Sequence, residues 1–170
     1  MTGREILEAA SSFVDEEIDE ADGLYAINSA IAEIGDMALI YDNITITTKG
    51  DRWEFVADDL LSIVEIEDNH GNLIQNYRER NGQVKFVYPG RYNIWYRRLP
   101  RPIESLDDTP ELHAAYHPCL VTYLAYWFKK KDDDENPDAN FLYEKFTVDV
   151  RRVFSQINRK RTPVKVRVVR

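Results

Sequence analysis

Most of what would announce an enzyme or a secreted protein is missing from this chain. Its one cysteine, Cys119, can form no internal disulfide, so nothing points to an oxidising compartment. The seven glycines are scattered and build no phosphate-cradling loop. None of Ser11, Ser12, Ser29, Ser62, Ser105 and Ser155 stands in the G-x-S-x-G frame of a nucleophile elbow. The longest strongly apolar run, CLVTYLAYWF at 119–128, is far shorter than the roughly 20 residues a bilayer span needs. The first residues, MTGREILEAASSFVDEEIDEAD, carry acids where a signal peptide needs a basic start and an apolar stretch. These absences lead to the expectation of a soluble protein made in the cytoplasm.

What is present suits a globular fold. The 170 residues fit one domain, or one domain with a sizeable insertion. Hydrophobic residues at 44% and aromatics at 12% are enough for a core. Charge is unevenly spread. Residues 151–170 hold eight Lys or Arg and no acid, while the first 150 hold 14 Lys or Arg against 30 Asp or Glu. A basic end on an acidic body is the pattern of an interaction tail.

Periodicity divides the chain. Ile6, Leu7, Ala10, Phe13 and Val14, then Leu24, Ile27, Ile31 and Ile34, recur at helical spacing over 3–34, with a break expected at Gly23 and a stop at Gly35-Asp36. Over about 43–99 the period becomes two and predicts five or six strands of an antiparallel meander. Asn81-Gly82 is the strongest hairpin signal, and Pro89-Gly90 reads as a type II turn. A proline-rich loop then leads to Asp108-Thr109-Pro110-Glu111, which reads as the start of a helix reaching Lys130, kinked at Pro118. A last helix is expected from Pro137 to Asn158, with Phe141, Leu142, Phe146, Val150, Val153 and Ile157 on one stripe. The fold class is therefore α+β: a helical bundle (3–34 and 110–158) with an inserted antiparallel β-meander, and an extended basic arm at 159–170.

Three stretches invite a chemical reading. His113 and His117, four residues apart, share a helix face, but Ala114 replaces the Glu of H-E-x-x-H and Cys119 points elsewhere, so helix-start packing is the better account. Residues 132–144, DDDENPDANFLYE, fit an EF-hand loop in neither register, since Pro137 or Asp138 falls where glycine is required. RYNIWYRR mixes aromatics and arginines, as a base-stacking strand does, but also reads as an ordinary strand with Tyr92, Ile94 and Tyr96 on one face and Asn93, Trp95 and Arg97 on the other. No catalytic constellation, metal site or cofactor motif emerges. The arm remains: Arg159, Lys160, Arg161, Val164, Lys165, Val166, Arg167, Val168 and Arg170 could add a strand to a partner's sheet, hold nucleic acid by charge, or stay unstructured.

VADDLLSIVEIEDNHGN, GRYNIWYRRLPRPI, TPELHAAYHPCLVTYLAYWF and NPDANFLYEKFTVDVRRV, read as successive blocks, resemble head–tail connector (adaptor or neck) proteins of tailed bacteriophages over most of residues 20–155. Val56-Ala57 stand where many of these have a proline before the Asp-Leu pair. The resemblance implies a helical bundle carrying a β-rich insertion, with Pro110, Glu111, Leu112 and His117 in a structural helix. It implies a non-enzymatic virion protein: a dodecameric ring under the portal of the filled head, extending the DNA channel and offering a platform to the next neck or tail protein. The partners it implies are the portal protein, the downstream neck or tail protein, further copies of the chain, and genomic DNA passing without sequence-specific contact. A nucleic-acid-binding accessory protein acting through the basic arm is the alternative.

Overall fold

The computed structural model describes residues 1–132 and 135–160, with the backbone alone for 159 and 160. The chain forms two compact units: Met1–Ala38 with the chain from Pro100 onward, and Leu39–Leu99. The class is α+β, as expected.

The helical unit opens with α1 (Gly3–Val14), started by a capping box in which Glu5 N–H donates to Thr2 Oγ1 and Thr2 N–H to Glu5 Oε2. The break after it is not at Gly23. Asp15 closes α1 in the left-handed region at φ 58, and Asp19 opens α2 (Glu20–Ile34) by accepting from Ala21 N–H. Gly23 lies inside α2 for a different reason. A Cβ there would come within 2.5 Å of Leu7 Cδ1, so the missing side chain lets α1 and α2 approach. A single 3-10 turn, Gly35–Ala38, ends this segment.

The helix expected from Pro110 starts later. Asp108 folds its carboxylate back onto Glu104 and Ser105 N–H, and Asn28 pins Ile103 by bonds to both its N–H and C=O, so the proline-rich segment is an ordered loop. A 3-10 turn at Ala114–Tyr116 leads into α3 (His117–Asp132). Pro118 therefore falls in the first turn of α3, where its missing N–H has no intrahelical partner to lose, and it makes no kink in the interior. Asn136 caps α4 (Pro137–Lys160) through Asp138 N–H, with proline at the first helical position as expected. Ile6, Ile27, Ile31, Ile34, Leu120, Leu124, Phe146 and Val150 are the centre of the core these helices share.

The β unit holds six strands: β1 (Ile40–Thr48), β2 (Trp53–Phe55), β3 (Ser62–Asp68), β4 (Tyr77–Arg80), β5 (Gln83–Phe86) and β6 (Gly90–Arg98). All pairs are antiparallel, in two three-stranded sheets ordered β1-β6-β3 and β2-β5-β4. Only β4 and β5 pair as a consecutive hairpin, so the order is more interleaved than a meander. That hairpin turns at Asn81-Gly82, both with positive φ (46 and 72), as the sequence demands. Pro89-Gly90 is no type II turn: Gly90 has no positive φ and begins β6. Val84, Phe86, Ile66, Ile94, Tyr92 and Tyr96 form a second core, with Phe86 stacked on Tyr92.

Candidate docking surfaces

The two histidines are parts of a helix entry. His113 Nδ1 accepts from Ala115 N–H at 3.2 Å and its C=O from Tyr116 N–H at 2.8 Å, which caps the 3-10 turn. His117 is buried, with Nδ1 2.9 Å from the Met1 amino nitrogen. Burial, and then that amino group, depress its pKa below the usual imidazole value, so the ring is held neutral. Cys119 is buried too, its thiol pushed up to about 11 by desolvation and then by Asp149. A protonated buried thiol is a poor nucleophile and a poor ligand. Among the described residues no group of three or more His, Cys, Asp or Glu could hold a metal ion. Asp133 and Asp134 of the acidic segment lie outside the described residues.

RYNIWYRR is the central strand β6, with the faces read from the sequence. Tyr92, Ile94 and Tyr96 are buried, while Trp95 is exposed on the opposite face. There the Arg97 guanidinium lies over the Tyr41 ring of β1 at 5.2 Å. On the other side of β6, Glu65 pairs with Trp95 and Glu67 with Asn93. The hydrogen bond between these two carboxyls, aided by burial, raises the Glu67 pKa. The outer face of this sheet thus has Trp95 at its middle, with Arg97 over Tyr41 toward β1 and the Glu65 and Glu67 carboxylates toward β3.

Sequence periodicity missed two surface features. Phe141, placed on the apolar stripe of α4, is 65% exposed; the core takes Leu142, Phe146, Val150 and Val153, with Ile157 packed against it, and leaves Phe141 and Val148, seven residues apart, on an outer face. The excess of apolar residues on α4, more than one stripe can bury, was the available signal. The second feature is an open cleft of about 380 Å³ between α2 and α3, lined by Tyr25, Tyr123, Tyr126, Trp127, Lys130 and Lys131. Its cations are answered locally: Lys131 pairs with Asp22, and Lys130 donates to the Tyr126 hydroxyl at 3.2 Å.

Of the arm, Arg159 and Lys160 form the end of α4, two residues beyond the expected helix boundary. Arg161, Val164, Lys165, Val166, Arg167, Val168 and Arg170 lie outside the described residues. No helix of the described chain is long and apolar enough to cross a membrane. No family model and no curated protein matches the chain.

Proposed function

We propose that this chain is a structural subunit of the neck of a tailed bacteriophage, assembling as a ring that joins the portal of the DNA-filled head to the tail or next neck protein. One observation carries the reading. A helical unit is interrupted once, at Leu39–Leu99, by an antiparallel β unit with its own core, which is the arrangement the resemblance to connector proteins implies. The chemistry of the surfaces is compatible with it. His113, His117 and Cys119 are spent on helix entry and core packing, and large apolar side chains such as Phe13, Phe141, Val148 and Leu73 are left exposed for neighbours.

The charge distribution gives the subunit a means of working. An acidic body lining a channel repels DNA, which then slides without sticking. The basic arm reaches a partner of opposite charge or an open sheet edge. Neither task needs a catalytic group.

The test is size-exclusion chromatography with light scattering, on the purified chain alone and mixed with the portal protein encoded beside it. A stoichiometric ring on the portal supports the reading, and loss of that ring when residues 159–170 are deleted assigns docking to the arm. Absence of association with portal, neck and tail proteins, together with tight salt-sensitive DNA binding, moves the assignment to the nucleic-acid-binding alternative.

A further inference from the structure

The register of the β2-β5-β4 sheet lays out its outer face. Trp53 stands opposite Lys85, and Lys85 opposite Arg78. The next row on that face is Phe55, Gln83 and Arg80. Glu54, Val84 and Glu79 form the row between and belong to the other face, where Val84 is fully buried. The outer face therefore holds two aromatic rings along β2, two guanidinium groups along β4, and an amine and an amide between them. Neither row contains a carboxylate. Trp53 and Phe55 are 38% and 54% exposed, and Arg78 and Arg80 are exposed as well.

The charge on this face is open to a partner. Lys85 Nζ pairs with Asp51 at 2.8 Å, but Arg78 and Arg80 form no salt bridge among the described residues. Asp51 is the competing anion: Lys85, and more weakly Arg78, lower its pKa. The outer face of the β1-β6-β3 sheet differs, because Glu65 and Glu67 stand beside Trp95 and Asn93 there. Residues 39–99 hold eight Lys or Arg against nine Asp or Glu. Most of the net charge of −8 thus lies outside the β unit and is not arrayed against an anion at this face.

The spacing selects the partner. Rows on one face are about 7 Å apart along a strand, and β2 and β4, two strands apart, are separated by about 10 Å. An unpaired nucleotide strand needs rings on which its bases stack and, beside them, cations for its phosphates. A duplex keeps the faces of its bases inside the stack and offers phosphates alone. An acidic peptide answers the arginines and leaves the two rings without a purpose. We propose that the outer face of the β2-β5-β4 sheet binds single-stranded nucleic acid without sequence preference, stacking bases on Trp53 and Phe55 and holding phosphates on Arg78 and Arg80. The inference goes beyond the neck reading and stands without it, and it places nucleic-acid contact on the β unit rather than on the basic arm.

The probe is an oligothymidine of about ten nucleotides, labelled for anisotropy and unlabelled for tryptophan emission, titrated with the full chain at low salt. Stacking quenches the emission, and Trp53→Phe removes most of that quenching although Trp95 and Trp127 remain. Phe55→Ala weakens binding about tenfold. Arg78→Gln with Arg80→Gln weakens it about tenfold or more and flattens the salt slope by about 1.4, two phosphates at about 0.7 each. Asp51→Asn tightens binding about threefold by removing the competing carboxylate. Asp51 has φ 52, a conformation asparagine accepts, and a gain in affinity cannot come from unfolding. Unchanged affinity in the Phe55 and Arg78/Arg80 variants, with loss in Lys165→Gln plus Arg167→Gln, overturns the proposal and assigns nucleic acid to the arm. Displacement of the oligothymidine by oligoglutamate of equal charge and concentration also overturns it, and assigns the face to an acidic protein. Absence of binding at low salt overturns it as well.

Discussion

Gly82→Ala is the sharpest probe of the β unit, because two separable penalties meet at that residue. Gly82 has φ 72, and a left-handed conformation costs an alanine about 1 kcal/mol. A Cβ there would also stand 2.6 Å from the Ala57 carbonyl oxygen, which is backbone and cannot swing aside as a side chain can. Relieving that contact strains the adjoining Val56 N–H to Gly82 C=O bond, 2.9 Å long, and overpacking of this kind costs about 2 kcal/mol. The total is about 3 kcal/mol. Gly71→Ala is the matched control, with φ 78 but nothing within 4 Å of its Cβ, so it carries the conformational penalty alone. Urea unfolding followed by tryptophan fluorescence separates the two. In a Trp127→Phe background the remaining tryptophans, Trp53 and Trp95, both belong to the β unit. At a slope of about 1 kcal/mol per M, the Gly82 variant unfolds about 2 M earlier than the Gly71 variant. Equal midpoints would refute the close approach of the 81–82 turn to Ala57, and with it the packing that holds the β4–β5 hairpin against the end of β2.

Three further outcomes are expected. Leu120→Ala empties a fully buried site in the helical core and costs about 3 kcal/mol, measured by urea unfolding at the helical circular-dichroism band. Arg98→Met leaves Asp42 and Asp59, 3.1 and 3.8 Å from the lost Nε, without their shared cation; with Asp42 39% exposed the cost is about 2 kcal/mol, and Asp42→Asn in the same chain restores part of it. Cys119 holds its proton up to about 11, so the unfolded chain loses that proton first as pH rises from 9. Stability therefore falls between pH 9 and 11, and Cys119→Ala reduces the fall; in the native protein at pH 8 a thiol reagent labels Cys119 only as fast as the helical unit opens.

The sequence was legible wherever one local signal dominated. Asn81-Gly82 dictated its turn, because few other residue pairs accept two positive φ values, and Pro137 marked the start of α4 for an equally local reason. The faces of β6 followed from strict alternation. Failures came where distant parts of the chain decide. Gly23 looks like a helix breaker until Leu7 is packed against it. Asp108-Thr109-Pro110 has the residues of a helix cap, but Asp108 spends its carboxylate on the loop behind it. In β3 the alternation could not choose a face because a bulge between Ile63 and Glu65 shifts the register: Ile63 and Ile66 both contribute to the core and Val64 is turned out. The order of strands was not readable either, since pairing β1 with β6 closes nearly the whole insertion and leaves no local mark.

The candidate surfaces divide along the same line. Motifs with chemical spacing, such as His113 and His117, attract attention in a sequence, yet His117 is buried with its Nδ1 beside the Met1 amino group and His113 caps a 3-10 turn. What the fold leaves incomplete carries no motif: an open strand edge, a half-covered Ile44, and apolar residues on the outer face of α4. Such features become visible only when pairing and burial are known, because each is defined by the partner that is not in the described chain. On the neck reading we propose, surfaces of this kind, rather than any motif, carry the function, which is why a search for chemical spacing in the sequence finds only helix entry and core.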